Sequence, residues 1–176
     1  MIFHPLDIPG AFLLEPETSR DRRGFFARSY CRRQLEQRGL DPALVRSEVS
    51  VNRLRGTVCG LHYQAPPWEE MRLVRCTAGA IFDVLADLRR DSPAFRRHLG
   101  FELSKENRRS LYIPPLVAHG FQTLEDDTEV FTQASEFDHP EHLEGVRWND
   151  PALAIEWPRE VTFVAADDRA FPDLEG

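Results

Sequence analysis

Thirteen prolines and ten glycines are scattered along 176 residues, and they cut the apolar sequence into runs too short for a helical core. Strand-like runs fall at residues 10–14, 57–63, 71–76, 79–88, 98–103, 110–113, 120–124 and 129–134. Short apolar runs at that spacing, separated by turn formers, predict an all-β domain, either a sandwich or a closed barrel. A helix is predicted at residues 30–38, where charged residues surround Leu35 and Gly39 supplies the stop. Helical turns are predicted at 140–144 and 165–171. The latter lies in a C-terminal segment (148–176) rich in Pro and Asp, predicted to wrap the outside. No linker, repeat or low-complexity stretch divides residues 1–176, which predicts a single domain.

A mean hydropathy of -0.44 and the absence of any run of eighteen apolar residues argue against a membrane partner. A net charge of -7 disfavours nucleic acid. The N-terminus has no basic stretch followed by an apolar one, and Cys31, Cys59 and Cys76 are an odd number without metal-type spacing. Both features predict a cytoplasmic protein. Of the 22 basic residues all but Lys105 are arginine, the side chain suited to forked contacts with phosphate or carboxylate.

Two isolated histidines stand out. His62 lies in Gly60-Leu61-His62-Tyr63-Gln64, just before a Pro-Pro loop, and His119 follows the strand and prolines of Tyr112-Ile113-Pro114-Pro115. Strand alternation puts His62 and Gln64 on one side and Leu61 and Tyr63 on the other. Either histidine alone reads equally well as a hydrogen-bonded residue inside a barrel, but two in matching settings point to the mouth of a small-molecule site. A metal site needs at least three firm protein ligands, and here the histidines are joined only by Gln64 and by Glu69 or Glu70. A histidine with an unperturbed pKa of about 6.5 suits general base catalysis instead. The acidic run Asp167-Asp168 could fold back to orient it, or could be a solvated turn.

Longer motifs extend this pattern. Asp21-Arg22-Arg23-Gly24-Phe25-Phe26, Gly60-Leu61-His62-Tyr63-Gln64, Phe82-Asp83-Val84, Asp87-Leu88-Arg89 and Ala118-His119-Gly120-Phe121 occur in order. Trp148-Asn149-Asp150-Pro151 and Ile155-Glu156-Trp157-Pro158 follow. Together they span nearly the whole chain, which resembles the dTDP-4-dehydrorhamnose 3,5-epimerase family. The resemblance implies an all-β, cupin-type double-stranded β-helix (jelly-roll) barrel with short peripheral helices. It implies a homodimer with strand exchange, a nucleotide-sugar substrate, and no metal or organic cofactor. The activity it implies is epimerisation of a nucleoside-diphosphate 4-keto-6-deoxy sugar at C3, C5 or both, through an enolate, in deoxysugar biosynthesis. By the same resemblance His62 is the base, Asp168 its orienting carboxylate, and Arg72 the cation near the enolate oxygen, where the family has lysine. Arg23 and Phe26 match nucleotide contacts that reach across the dimer. Gln64, His119 and Thr132 fall at the sugar site.

The chain departs from the family in the pocket. The general-acid tyrosine falls at Thr132 and a second tyrosine at Phe137 or Asp138, while the only tyrosines are Tyr30, Tyr63 and Tyr112. The family's Gln and Asn substrate contacts fall at Ser47 and Val49, its arginine before Gly-Leu-His at Cys59, and a loop glycine at Leu116. Threonine has no useful acidity, so the returning proton must come from water, Asp138 or His139. The alternative is a catalytically altered or repurposed cupin that binds a nucleotide-sugar or another small molecule without 3,5-epimerisation.

Overall fold

The chain is seen in a computed structural model that describes residues 1–174. Glu175 and Gly176, the end of the predicted C-terminal wrap, lie outside the described residues. In chain order the first strands are β1 (Ile2–Pro5), β2 (Phe12–Glu15), β3 (Thr18–Asp21), β4 (Gly24–Ala27), β5 (Arg46–Asn52), β6 (Thr57–Gln64) and β7 (Arg72–Ala78). They continue as β8 (Ala80–Asp87), β9 (His98–Ser104), β10 (Ser110–Ile113), β11 (Val117–Thr123), β12 (Thr128–Ala134), β13 (Leu143–Gly145) and β14 (Phe163–Val164). The helices α1 (Arg32–Glu36) and α2 (Ala166–Ala170) are short, and a 3-10 turn spans Pro140–His142.

One sheet runs β1-β2-β10-β7-β12-β5; the other runs β13-β6-β11-β8-β9, with β14 alongside β6. Strands β3 and β4 form a separate hairpin. The two large sheets enclose one core, to which β7 and β12 give Val74, Cys76 and Val130, and β8, β9 and β11 give Ile81, Leu85, Leu103 and Phe121. Burying each large aliphatic side chain of this set stabilises the fold by about 1.5–3 kcal/mol. The result is the all-β, cupin-type barrel that the strand rhythm and the resemblance predict.

Strand β8 shows why its sequence is almost continuously apolar. Ile81 and Leu85 point into the core between the sheets, while Val84 and Ala86 belong to a second cluster on the outer face. That outer cluster is roofed by Leu153, Trp148, Ile155 and Trp157 of the C-terminal segment. A strand buried on both faces cannot show polar alternation. Asp150, itself buried, ties the roof down by accepting bonds from the backbone N–H groups of Ala152 and Leu174. Trp157 Nε1 donates to the Trp148 carbonyl at 2.9 Å. The tryptophan and Asn-Asp-Pro motifs are therefore structural.

Two differences from the sequence expectation have simple causes. The helix predicted over 30–38 is only α1, because Leu35 is its sole buried residue and no side chain caps its N-terminus. An isolated helix that short has little stability of its own. Strand β5, by contrast, is not evident in the sequence. Its residues alternate Arg46, Glu48 and Ser50 with Ser47, Val49 and Val51, and neither set is buried in a core. Leu116, where the resemblance places glycine, adopts φ 63°. That left-handed backbone costs an L side chain roughly 1–2 kcal/mol.

Candidate active site

The site begins with a close approach of two strands. In the antiparallel register of β11 on β6, His119 faces His62, and the register shifts at the next step. Two glycines permit this. Gly60 has φ +94, and a Cβ there would lie 2.6 Å from the His119 carbonyl oxygen. A Cβ on Gly120 would lie 2.6 Å from the Cys59 carbonyl oxygen. On the other side of β6, β13 brings Gly145 opposite His62.

Beneath the strand pair lies a cavity of about 270 Å³, lined by His62 and His119 from one sheet and by Arg72 and Thr132 from the facing one. Arg46, Glu48 and Ser50 of β5 form part of the wall, with Cys59, Gln64 and Asp138. Leu61 is buried in the outer cluster and Tyr63 packs against it, so the predicted alternation of β6 holds.

The two histidines differ in their partners. His119 Nε2 lies 2.8 Å from Asp83 Oδ2, and both side chains are almost inaccessible. Burial pushes the Asp83 carboxyl above the ordinary carboxylate range, and His119 opposes the shift. His62 stacks under Phe171, with ring centroids 6.4 Å apart and planes 17° from parallel. Its Nδ1 is buried and has no hydrogen-bond partner among the described residues. Burial pushes the imidazole down to about 3, reinforced by the charges of Arg72, His119 and Arg46. A histidine in this setting is held neutral at working pH and takes a proton only when a nearby negative charge offsets the burial.

Asp168, on α2, accepts a hydrogen bond from the Gly60 backbone N–H, two residues before His62. Burial raises its carboxyl, opposed by that bond and aided by Asp167. Asp168 thus reaches the strand of His62 but is not hydrogen-bonded to the His62 ring in this structure. Gln64 lines the cavity with its amide already engaged. Its Nε2 donates to the carbonyls of Trp68 and Phe137, and its Oε1 accepts from the His139 N–H at 2.8 Å. It clips the loop after β6 to the loop after β12, holding two cavity walls together.

Arg72 is fixed more firmly than a surface arginine. Its Nε donates to Glu70 Oε1 at 2.6 Å and its Nη1 to the His62 carbonyl at 3.3 Å. Strand β5 also corrects the register. Arg46, Glu48 and Ser50 line the cavity, so Ser47 and Val49 lie on the opposite face, and Val49 is solvent-exposed. Arg46, Glu48 and Glu70 have no counterpart among the predicted site residues. The period-two alternation of polar Arg46, Glu48 and Ser50 against Val49 and Val51 is the signal that could have found the first two.

Thr132 lines the cavity, and none of the three tyrosines does. Tyr30 donates to the Pro42 carbonyl, Tyr63 to Glu144, and the Tyr112 hydroxyl accepts from the Asp41 N–H. Arg23 and Phe26 are on the β3–β4 hairpin, outside this cavity; Phe26 is 72% exposed and Arg23 pairs with Asp21. Among the described residues no three His, Cys, Asp or Glu side chains are grouped to hold a metal ion. The cysteines are unpaired. Burial pushes the Cys59 thiol up to about 12, with Asp168 adding to the shift.

A cupin-type barrel with paired histidines, a fixed guanidinium and a neutral buried imidazole defines a small-molecule site suited to moving a proton. The family model for dTDP-4-dehydrorhamnose 3,5-epimerase matches residues 5–176. A relative of that description from Pseudomonas aeruginosa is 40% identical over 174 residues, covering 97% of this chain and 96% of its own. One from Sinorhizobium fredii is 38% identical over 99% of this chain and 90% of its own. The crystal structure of the Bacillus anthracis epimerase with TDP and PPi bound superposes with a TM-score of 0.94. It is 40% identical and covers 98% of this chain and 99% of its own. A 3'-monoepimerase from Streptomyces bikiniensis in complex with dTDP-quinovose gives a TM-score of 0.89 at 30% identity, over 97% and 86% of the two chains. The chain belongs to the dTDP-4-dehydrorhamnose 3,5-epimerase family of sugar-nucleotide epimerases.

Proposed function

We propose that the chain epimerises a dTDP-linked 4-keto-6-deoxy sugar at C3, C5 or both, without a cofactor. The observation that carries this is the neutral, unpartnered His62 beside Arg72 in a cavity of family-typical fold. The C3 and C5 hydrogens lie alpha to the C4 carbonyl. The His62 ring takes one of them as a proton, leaving an enolate whose charge collects on the C4 oxygen. Arg72 opposes that charge, and fixed positive charge at a developing oxyanion is usually the largest catalytic contribution. A proton returned to the opposite face inverts the carbon, and His62 then releases its own. Thr132 and Asp138 lie on the facing side of the cavity, so the returning proton comes from Asp138 or from water held there. Asp168, bonded to the Gly60 N–H two residues before His62, supplies the carboxylate that steadies the imidazolium as it forms.

Arg23 and Phe26, exposed on a hairpin outside their own cavity, support a nucleotide contact made in a partner's site. The exposed apolar residues Phe26, Val49 and Val51 support a homodimer, which light scattering would reveal as twice the 20.3 kDa chain mass. Three unpaired thiols and the absence, among the described residues, of a helix able to cross a membrane support a cytoplasmic setting.

The test is NMR of dTDP-4-keto-6-deoxyglucose with the protein in deuterated water. Deuterium entering C3, C5 or both, with the matching change in product configuration, supports the assignment and names the carbon. The tyrosine-free cavity favours a second reading, a pocket that binds the nucleotide-sugar without inverting it. Tight binding with no exchange would establish that instead.

A further inference from the structure

Glu70 has no part in the chemistry described so far, yet its carboxylate sits at the centre of the site's charge. Its side chain is 2% exposed. Oε1 accepts from Arg72 Nε at 2.6 Å, and Oε2 lies 2.9 Å from an Arg46 terminal nitrogen. Arg72 and Arg46 are themselves mostly buried, and both line the cavity. Glu70 engages the Nε edge of Arg72, so the rest of that guanidinium still offers positive charge to an enolate. Glu48 and Asp138 pair with Arg46, at 3.5 and 3.4 Å, and not with Arg72.

We infer that Glu70 is a positioning residue, which fixes the Arg72 guanidinium edge-on to the cavity and holds Arg46 as the second arm of the same clamp. With Nε bound to Glu70 and Nη1 bound to the His62 carbonyl, Arg72 Nη2 makes no hydrogen bond among the described residues. It is the donor left for the substrate. A lysine ammonium presents charge in any rotamer, but a planar guanidinium must be aimed. The carboxylate supplies that aim, and it also tethers Arg72 to β5, where Arg46 sits.

This inference rests on the epimerase assignment for its kinetic arm and on the geometry alone for its spectroscopic arm. The kinetic arm compares Glu70→Gln in the native background and in an Arg72→Lys background. In the native background kcat falls about 10–100-fold, the cost of a misaimed group, while KM changes less than about threefold. In the Arg72→Lys background the same change costs less than about threefold, because an ammonium does not need aiming. Equal losses in both backgrounds, or a loss of thermal stability with kcat intact, would overturn the inference. The spectroscopic arm follows the Arg72 Nε–H resonance by ¹⁵N NMR, assigned through its disappearance in Arg72→Lys. It is slowly exchanging in the native protein and shifts or broadens in Glu70→Gln; an unchanged resonance would overturn the clamp. If the native protein shows no proton exchange, the epimerase assignment fails and the resonance still decides the role of Glu70.

Discussion

His119 Nε2 lies 2.8 Å from Asp83 Oδ2, so the histidine with a carboxylate partner is the one facing His62, and not His62 itself. The pair divides the labour between two residues opposed across β6 and β11. Asp83 holds His119 still, and His62, with its Nδ1 unpartnered, is left free to react. Removing the Asp83 carboxylate strands a buried ring nitrogen. Asp83→Ala therefore lowers unfolding stability by about 1–3 kcal/mol in a denaturant titration. An unchanged midpoint would mean that the contact holds nothing.

The environment of His62 sets a pH dependence. Its folded-state pKa, about 3, lies below the reference value of 6.5. Between those values the unfolded chain binds a proton that the folded chain refuses. The stabilising contribution is therefore fully present above pH 6.5 and is lost progressively as pH falls toward 3. The same depression keeps the base neutral, so kcat/KM shows no acid limb centred near pH 6.5. A limb at that pH in the native enzyme would show that the imidazole titrates normally.

Gly60 is required twice over, by its positive φ and by the approach of β11. Gly39 also has a positive φ, 67°, but a Cβ there meets nothing within 4 Å. Gly60→Ala is thus expected to cost about 2 kcal/mol more than Gly39→Ala, measured by thermal or denaturant unfolding. Equal costs would show that β6 and β11 can separate without penalty.

The absent phenol gives a gain-of-function test. Thr132 faces the cavity, and a tyrosine there would present an acidic hydroxyl from the sheet opposite His62. General acids contribute about 10²–10⁴-fold, so Thr132→Tyr is expected to raise turnover at least about tenfold on the same substrate. Turnover unchanged or lowered would mean that another group already returns the proton efficiently.

The barrel was legible in the sequence because Pro or Gly stands beside β2, β6, β7, β8 and β10 and β8 has an apolar side chain on each face. His62 and His119 were legible because each sits in a motif of its own strand, Arg72 and Thr132 only through the family resemblance, and the structure brings all four to one cavity. Arg46 and Glu48 were not, because the alternation of β5 is short and its apolar side, Val49 and Val51, is exposed rather than buried in a core. Glu70 was considered only as a metal ligand, since sequence spacing cannot reveal that Arg46 comes within 2.9 Å of it from a strand 24 residues away. The hydrogen bonds of Gln64 were hidden for a similar reason: its partners lie on loops whose approach depends on the closed barrel.

The most direct test of His62 as the base is the rate of deuterium entry at C3 and at C5, measured side by side in the native protein and in His62→Asn. Asparagine keeps a polar side chain of similar reach and cannot accept the proton. The account predicts exchange in the native protein and a loss of at least about 10²-fold at the exchanging carbon in the variant, with dTDP affinity little changed. Exchange that persists in His62→Asn at the native rate would contradict it and move the base elsewhere in the cavity.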